Sequence, residues 1–474
     1  MVFMSQISND SGSFEGRQND RVTEFFGIRY ATAKRFEEPV DVANYSQIVD
    51  ATSFGAQSPQ VPGFMDEILK TKDLPSSEDC LFLNVWKPSV VDGLLPVLFW
   101  IHGGAFTNGT GATSWYDGSN LVKQGNVVVV SINYRLGPFG FMGENNLGIL
   151  DQISALRWVQ RNIKSFGGDP ENVTIFGESA GGSSVVALTA AASAQPLFAK
   201  GWAMSPSLLQ LRSKSAAKEA QQKFLDAAKC SSVDDLRSLS AQQMVDATSL
   251  MFLDVENYIT TFSPTRGGTA LPADIYEASA ISGKPLVVGT NRDENRLWSA
   301  LNAQAANLTE PEARTQFEKV FGQAARDAWQ NYSQAFDSLT PSQMVSAMQT
   351  DQNFRYPAWR LSEIRSTRTP TWMYWFTWPS PVFDGVLGCC HALDLPFMFD
   401  NLDKPNVEMF TGSEPIRKSI SKHFTTELIS YAHFGSVSWP KYDASVRSTL
   451  RIDTSTEILS DPDSKIREIW ARND

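Results

Sequence analysis

The stretch Val173-Thr-Ile-Phe-Gly-Glu-Ser-Ala-Gly-Gly182 constrains this chain more than any other. Residues 173–176 are β-branched and apolar, the composition of a buried strand, and residues 180–194 are rich in Ala, Leu and other small side chains, as a packed helix is. Between them Gly177, Ser179 and Gly181 make Gly-x-Ser-x-Gly. Strand, sharp turn and helix in that order is the local fold of a nucleophile elbow, with the serine at the apex and glycines where no side chain fits. From ordinary glycine and serine usage, such a pentapeptide arises by chance in roughly one chain in seven of this length. The surrounding sequence therefore has to carry the assignment.

With 474 residues, the chain can form one large α/β domain or two ordinary ones. It contains no internal repeat and no linker that would divide it, so a single domain over 1–474 is expected. Its 42% apolar and 20% charged residues are those of a globular protein. A net charge of −11 argues against nucleic acid or an anionic membrane as partner. No apolar run approaches a membrane span, and the N-terminal residues show no basic stretch followed by a long apolar one, so neither a span nor a signal peptide is expected. The four cysteines, at 80, 230, 389 and 390, have no Cys-x-x-Cys spacing. The vicinal pair cannot close an ordinary bridge on itself, so free thiols and a cytoplasmic location are expected.

Along the chain, residues 20–60 read as short strands and turns, and 57–77 as a surface loop rich in Pro, Ser and charge. Residues 81–86 alternate like a half-buried strand, while 96–101 and 127–132 are continuously apolar strands. Residues 147–166 carry apolar side chains at helical spacing and stop at Gly167-Gly168. Helical insertions are expected around 205–280, with 216–228 and 233–247 as the clearest helices, and again around 300–366. Residues 285–289 form a strand that ends in Thr290-Asn-Arg-Asp-Glu294, and 371–378 form an aromatic strand that reads as core. Strands alternating with helices imply an α/β fold with a mostly parallel sheet covered on both faces.

A serine hydroxyl is a poor nucleophile until a base takes its proton and a third group orients that base. The only histidines are 102, 391, 423 and 433. On an α/β-hydrolase fold the chain order is Ser, then Asp or Glu, then His, which removes His102. His423 and His433 lie in an amphipathic helical pattern, whereas His391 follows a glycine-bearing loop behind a strand and is preferred as the base. Asp293 and Glu294 both follow a strand directly, and the residues alone leave that choice open. The loop His102-Gly-Gly-Ala-Phe106 follows a buried strand, where backbone N–H groups could face a developing oxyanion, and Ala180 supplies a further N–H. Gly109-Thr-Gly-Ala-Thr-Ser114 lacks the last glycine of a dinucleotide fingerprint; phosphate-loop and His-Glu-x-x-His motifs are absent, so no cofactor and no metal is expected.

The motifs resemble those of the type-B carboxylesterases, the family of bacterial para-nitrobenzyl esterases, animal carboxylesterases and cholinesterases. The resemblance spans most of the chain: Ser77-Glu-Asp-Cys-Leu-Phe-Leu-Asn-Val-Trp86, Ile101-His-Gly-Gly-Ala-Phe106, Asn133-Tyr-Arg-Leu-Gly-Pro-Phe-Gly-Phe141, Asn146-Leu-Gly-Ile-Leu-Asp-Gln152, the elbow from Phe166, Gly289-Thr-Asn-Arg-Asp-Glu294, Cys390-His-Ala-Leu-Asp-Leu-Pro-Phe397 and Trp439-Pro-Lys-Tyr442. It implies an α/β-hydrolase fold and a triad of Ser179, Glu294 and His391, with Gly104, Ala105 and Ala180 as oxyanion donors. It also implies Ser207 beside the triad acid, and Leu297 and Trp298 as pocket wall. Asn295 departs from the glycine that usually follows the acid, and Ser205-Pro206 from the usual Ser-Gly.

The expected function is hydrolysis of small to medium carboxylic esters through an acyl-enzyme. Two other readings share the sequence: an amidase or carbamate hydrolase on the same triad, and a non-catalytic cholinesterase-like interaction protein. The motifs carry no information on oligomeric state.

Overall fold

The computed structural model describes residues 3–63, 65–66, 74–252, 261–336 and 338–473. A thirteen-stranded sheet runs through the molecule. Its N-terminal part holds β1 (Phe3–Asn9), β2 (Gly12–Asn19), β3 (Val22–Arg29) and β4 (Phe82–Pro88). The centre holds β5 (Leu95–Ile101), β6 (Val128–Ile132), β7 (Gly168–Glu178) and β8 (Lys200–Met204). Then follow β9 (Leu286–Asn291), β10 (Thr371–Phe376), β11 (Ser448–Ile452) and β12 (Glu457–Ser460). The spatial order is β1-β2-β3-β4-β6-β5-β7-β8-β9-β10-β11-β12, with the short strand Val49–Asp50 pairing onto β2. From β6 to β11 every pairing is parallel, whereas β1 to β4, the β4–β6 contact and the β11–β12 edge are antiparallel.

The continuous apolar runs follow from this arrangement, because a parallel sheet covered on both faces gives its strands no polar side. Successive residues of β5 go to opposite cores: Val97, Phe99 and Ile101 join one apolar cluster, Leu98 and Trp100 the other. β10 behaves the same way, with Met373 on the first side and Trp372, Tyr374 and Phe376 on the second, so the aromatic strand is core. A third cluster joins the helices Glu310–Phe321, Ala325–Ala335, Pro341–Thr350 and Ser464–Asn473.

Two local expectations are corrected. The helix expected over 233–247 is divided into a 3-10 turn, Asp235–Ser238, and a helix, Ala241–Phe252. Ser240 restarts the helix: its Oγ accepts from the Gln243 N–H, and its own N–H donates to Gln243 Oε1. The stretch 57–77 is not simply a surface loop, since Gln57 and Ser58 are buried and Gln57 pairs with Ser76; its residues 64 and 67–73 lie outside the described residues, as do 253–260 of the helical stretch 205–280.

The parallel strands all point one way, and their C-terminal ends lead into the loops that carry the candidate residues. β5 leads into His102, β7 into Ser179, β8 into Ser205, β9 into Glu294 and β10 into the loop that reaches His391. Loops at the carboxyl ends of parallel strands are where α/β sheets build ligand sites.

Candidate active site

Ser179 stands between β7 and the helix Ala180–Ala190 with φ 58° and ψ −120°, a left-handed strain that a non-glycine residue holds only when its surroundings fix it. Its N–H donates to the Met204 carbonyl at 3.0 Å, and its own carbonyl accepts from the Ser183 N–H at 2.8 Å. The glycine that follows is a packing requirement: a β-carbon on Gly181 would run into the Ile101 carbonyl oxygen of the neighbouring strand. The elbow places the serine where the helix begins and its first N–H groups have no intrahelical acceptor.

His391 is 4% exposed and meets two carboxyl groups. Its Nδ1 lies 2.7 Å from Glu294 Oε2 in a hydrogen bond, and its Nε2 lies 3.1 Å from Glu178 Oε1. The 3.1 Å approach of Nε2 to Glu178 is not a directed hydrogen bond, since Glu178 Oε1 is buried without a hydrogen-bond partner. Glu294 Oε1 accepts from Ser205 Oγ at 2.6 Å and from the Asn291 N–H at 2.7 Å, which fixes the carboxylate on the side away from the imidazole. The chain also locks the pair, with the His391 N–H donating to the Glu294 carbonyl at 3.2 Å.

Burial raises the Glu178 carboxyl to about 8, opposed by the charge of His391 and reinforced by Asp394 and Glu294. Burial also works against a charged His391, but Glu178, the bond and charge of Glu294, and Asp394 together outweigh it and raise the imidazole to about 9. Asp394 is itself raised to about 7, by burial first and the Glu294 charge second. The carboxyl groups around the imidazole therefore stabilise its charged form.

The loop after β5 adds a concave backbone. Gly104, Ala105 and Phe106 have φ of 107°, 52° and 60°, and the Gly104 carbonyl is turned into the loop to accept from Thr107 and Asn108. Gly103 lies so close to the elbow that a β-carbon on it would sit 3.0 Å from Glu178 Oε2 and 3.2 Å from Ser179 Cβ. His102 is packed into the base of the loop: burial lowers it to about 4, its ring stacks on Tyr134 at 4.5 Å, and Tyr134 Oη donates to its carbonyl at 2.9 Å.

The match to known proteins extends over the whole of this architecture. The model of the carboxylesterase family matches residues 4–470. The chain belongs to that family. This carboxylesterase is 35% identical to the para-nitrobenzyl esterase of Bacillus subtilis (strain 168), over 98% of its own length and 97% of that protein. It is 31% identical to phenmedipham hydrolase of Pseudarthrobacter oxydans, over 83% and 82% of the two chains. A solved para-nitrobenzyl esterase superposes with a TM-score of 0.86 at 33% identity, covering 98% of this chain and 99% of that one. A carboxylesterase of Geobacillus stearothermophilus superposes with 0.87 at 32% identity and the same coverage. The protein is a serine carboxylic-ester hydrolase of the α/β-hydrolase fold acting on a small-molecule ester, and the comparisons favour neither the amidase reading nor the interaction-protein reading.

Within this carboxylesterase, most residues singled out from the sequence converge at the carboxyl ends of the strands, and two do not fall as expected. Ser205, not Ser207, bonds to Glu294. Ser205 turns to φ 44° at the end of β8, which brings its hydroxyl onto the carboxylate, whereas Ser207 offers its carbonyl to Ser183 Oγ at 3.0 Å. Leu297 is 4% exposed and packs in the aromatic core cluster instead of forming a free wall. Trp298 does reach the site, its ring 4.9 Å from that of His391. Phe354 covers the same imidazole at 4.8 Å and lies 6.1 Å from Trp298 in a parallel stack. Sequence reasoning missed Phe354 and the approach of Glu178 to His391; the position of Glu178 directly before Ser179 was the available signal for the second.

Proposed function

We propose that this carboxylesterase hydrolyses small to medium carboxylic esters with Ser179 as nucleophile, His391 as general base and acid, and Glu294 as the group that orients the imidazole and stabilises its charged form. The observation that carries the reading is the 2.7 Å His391–Glu294 hydrogen bond beside a serine strained at the apex of the elbow. Ser179 Oγ attacks the ester carbonyl as His391 Nε2 takes its proton. Contacts between a base and its nucleophile commonly tighten only when substrate binds. The N–H groups of Gly104, Ala105 and Ala180 hold the oxyanion, the alcohol departs with the proton from His391, and water releases the acid by the same steps in reverse.

The Trp298 ring beside the imidazole supports an ester with an apolar group near the base. The helical stretches 205–280 and 300–366 we read as insertions in a single domain. The four free cysteines, three of them buried, support a reducing, cytoplasmic setting, and among the described residues no helix is long and apolar enough to cross a membrane. Turnover of a panel of 4-nitrophenyl esters tests the roles. Ser179→Ala and His391→Ala are expected to lower kcat by at least about a thousandfold, with His423→Ala close to the unsubstituted enzyme. Ester turnover that survives Ser179→Ala, or equal losses in the two histidine variants, would overturn the assignment.

A further inference from the structure

One short piece of chain touches both the acid loop and the histidine ring. Between the helices Pro341–Thr350 and Tyr356–Ser366 the backbone widens into a π-turn, Asp351–Arg355. Such turns are rare and concentrate at functional sites. Pro357, which has no N–H for the carbonyl four residues back, accounts for the disruption at this point. Just before the turn, Asn295, the residue after Glu294, is caught twice: its N–H donates to Thr350 Oγ1 at 3.0 Å and its Nδ2 to Gln349 Oε1 at 2.6 Å. Within the turn, Phe354 is buried against His391 and Trp298.

The turn is held from behind by groups distant in sequence. Tyr332 Oη donates to Asp351, and Trp470 Nε1 donates to Tyr332 Oη at 2.9 Å. Arg355 lies 3.8 Å from the centroid of the Trp375 ring and pairs with Asp463 at 2.6 Å. Asp351, Phe354 and Arg355 are all buried, so the segment has little freedom to shift independently of the third apolar cluster.

We propose that residues 349–354 form a positioning clamp for the acid–base pair: Gln349 and Thr350 set the Glu294 loop through Asn295, and Phe354 sets the plane of the His391 ring. The clamp touches no reacting atom and rests on the triad reading above. It also gives Asn295 a role. Where the related family usually has glycine, this chain has an amide that ties the acid loop to the neighbouring helix.

The test uses the full-length enzyme and 4-nitrophenyl acetate. Phe354→Ala is expected to lower kcat by about ten- to a hundredfold, the cost of a misplaced catalytic group, with KM changed less than about threefold, and Phe354→Tyr is expected to restore most of kcat. Asn295→Ala and Gln349→Ala are each expected to lower kcat, and the double variant to be no worse than the poorer single one, because both remove the same bond. These two residues are half-buried, so the pair remains informative if Phe354→Ala fails to fold. Unchanged kcat in the folded variants, additive losses at 295 and 349, or a Phe354→Tyr variant as slow as Phe354→Ala would overturn the clamp. Fluorophosphonate labelling of the unsubstituted enzyme is run alongside: absence of label on Ser179 would defeat the triad reading itself, whereas labelling with unaffected variants would defeat only the clamp.

Discussion

At the residue scale, the site depends on which groups surround the imidazole. On the proposed mechanism neutral His391 accepts the serine proton, so kcat/KM should rise with pH through its ionisation. Negative neighbours stabilise the imidazolium and raise that pKa, and Glu178 contributes the largest of these charge effects. Glu178→Gln removes a negative neighbour at nearly constant shape, so the acid limb of the kcat/KM profile should move to lower pH; a limb that stays in place or moves upward would contradict the arrangement. Ser205 makes a separate case. Its hydroxyl donates to a charged carboxylate, a bond of the class whose loss costs about 1.5–3 kcal/mol, so Ser205→Ala should reduce kcat by about tenfold or more while Ser207→Ala leaves it near normal. Equal effects would contradict the observed geometry. The two serines show where sequence stops being informative. They lie two apart at the end of one strand, and only the left-handed turn at Ser205 decides which one reaches Glu294.

At the scale of elements, the stretches that looked most specific in the sequence are joints between loops and helices. Arg135, in the loop after β6, is fastened to Asp151 in the helix Leu147–Asn162: Nη2 to Oδ1 at 2.7 Å, Nε to Oδ2 at 2.8 Å, and the Arg135 N–H to Oδ2 at 3.0 Å. Both side chains are buried, and removing one partner strands the other without its counter-charge. Asp151→Ala should therefore lower stability by about 3–5 kcal/mol, read as a drop in the urea midpoint; a loss below about 1 kcal/mol, the ordinary value for an exposed pair, would show that the joint is solvated. The elbow was legible because its requirements are local: an apolar strand, two small flanking residues and an Ala-rich helix within a short span. Phe354 was not legible, because the π-turn shifts the helical phase by one residue and a regular helical projection misplaces the side chain. The break at Ser240 was hidden in the same way, since continuous helical periodicity masked a reciprocal cap.

At the scale of the whole molecule, chain order anticipated the assembly better than distance along the chain did. Ser179, Glu294 and His391 are far apart in sequence, yet each follows its own parallel strand, and parallel strands deliver their ends to one edge. The same packing governs the thiols: Cys80, Cys389 and Cys390 are buried and Cys230 is partly accessible. A thiol reagent should titrate one cysteine in the native protein and all four after denaturation, and the thermal midpoint should be unaffected by reductant; a midpoint that falls with reductant would reveal a bridge. All of these features converge on one chemical claim, that Ser179 is the residue acylated during turnover. The most direct measurement is fluorophosphonate labelling followed by peptide mapping of the native enzyme and of Ser179→Ala. The account predicts one label per chain, on the peptide containing Ser179, and none in the variant, whereas labelling of another serine, or undiminished labelling of Ser179→Ala, would contradict it.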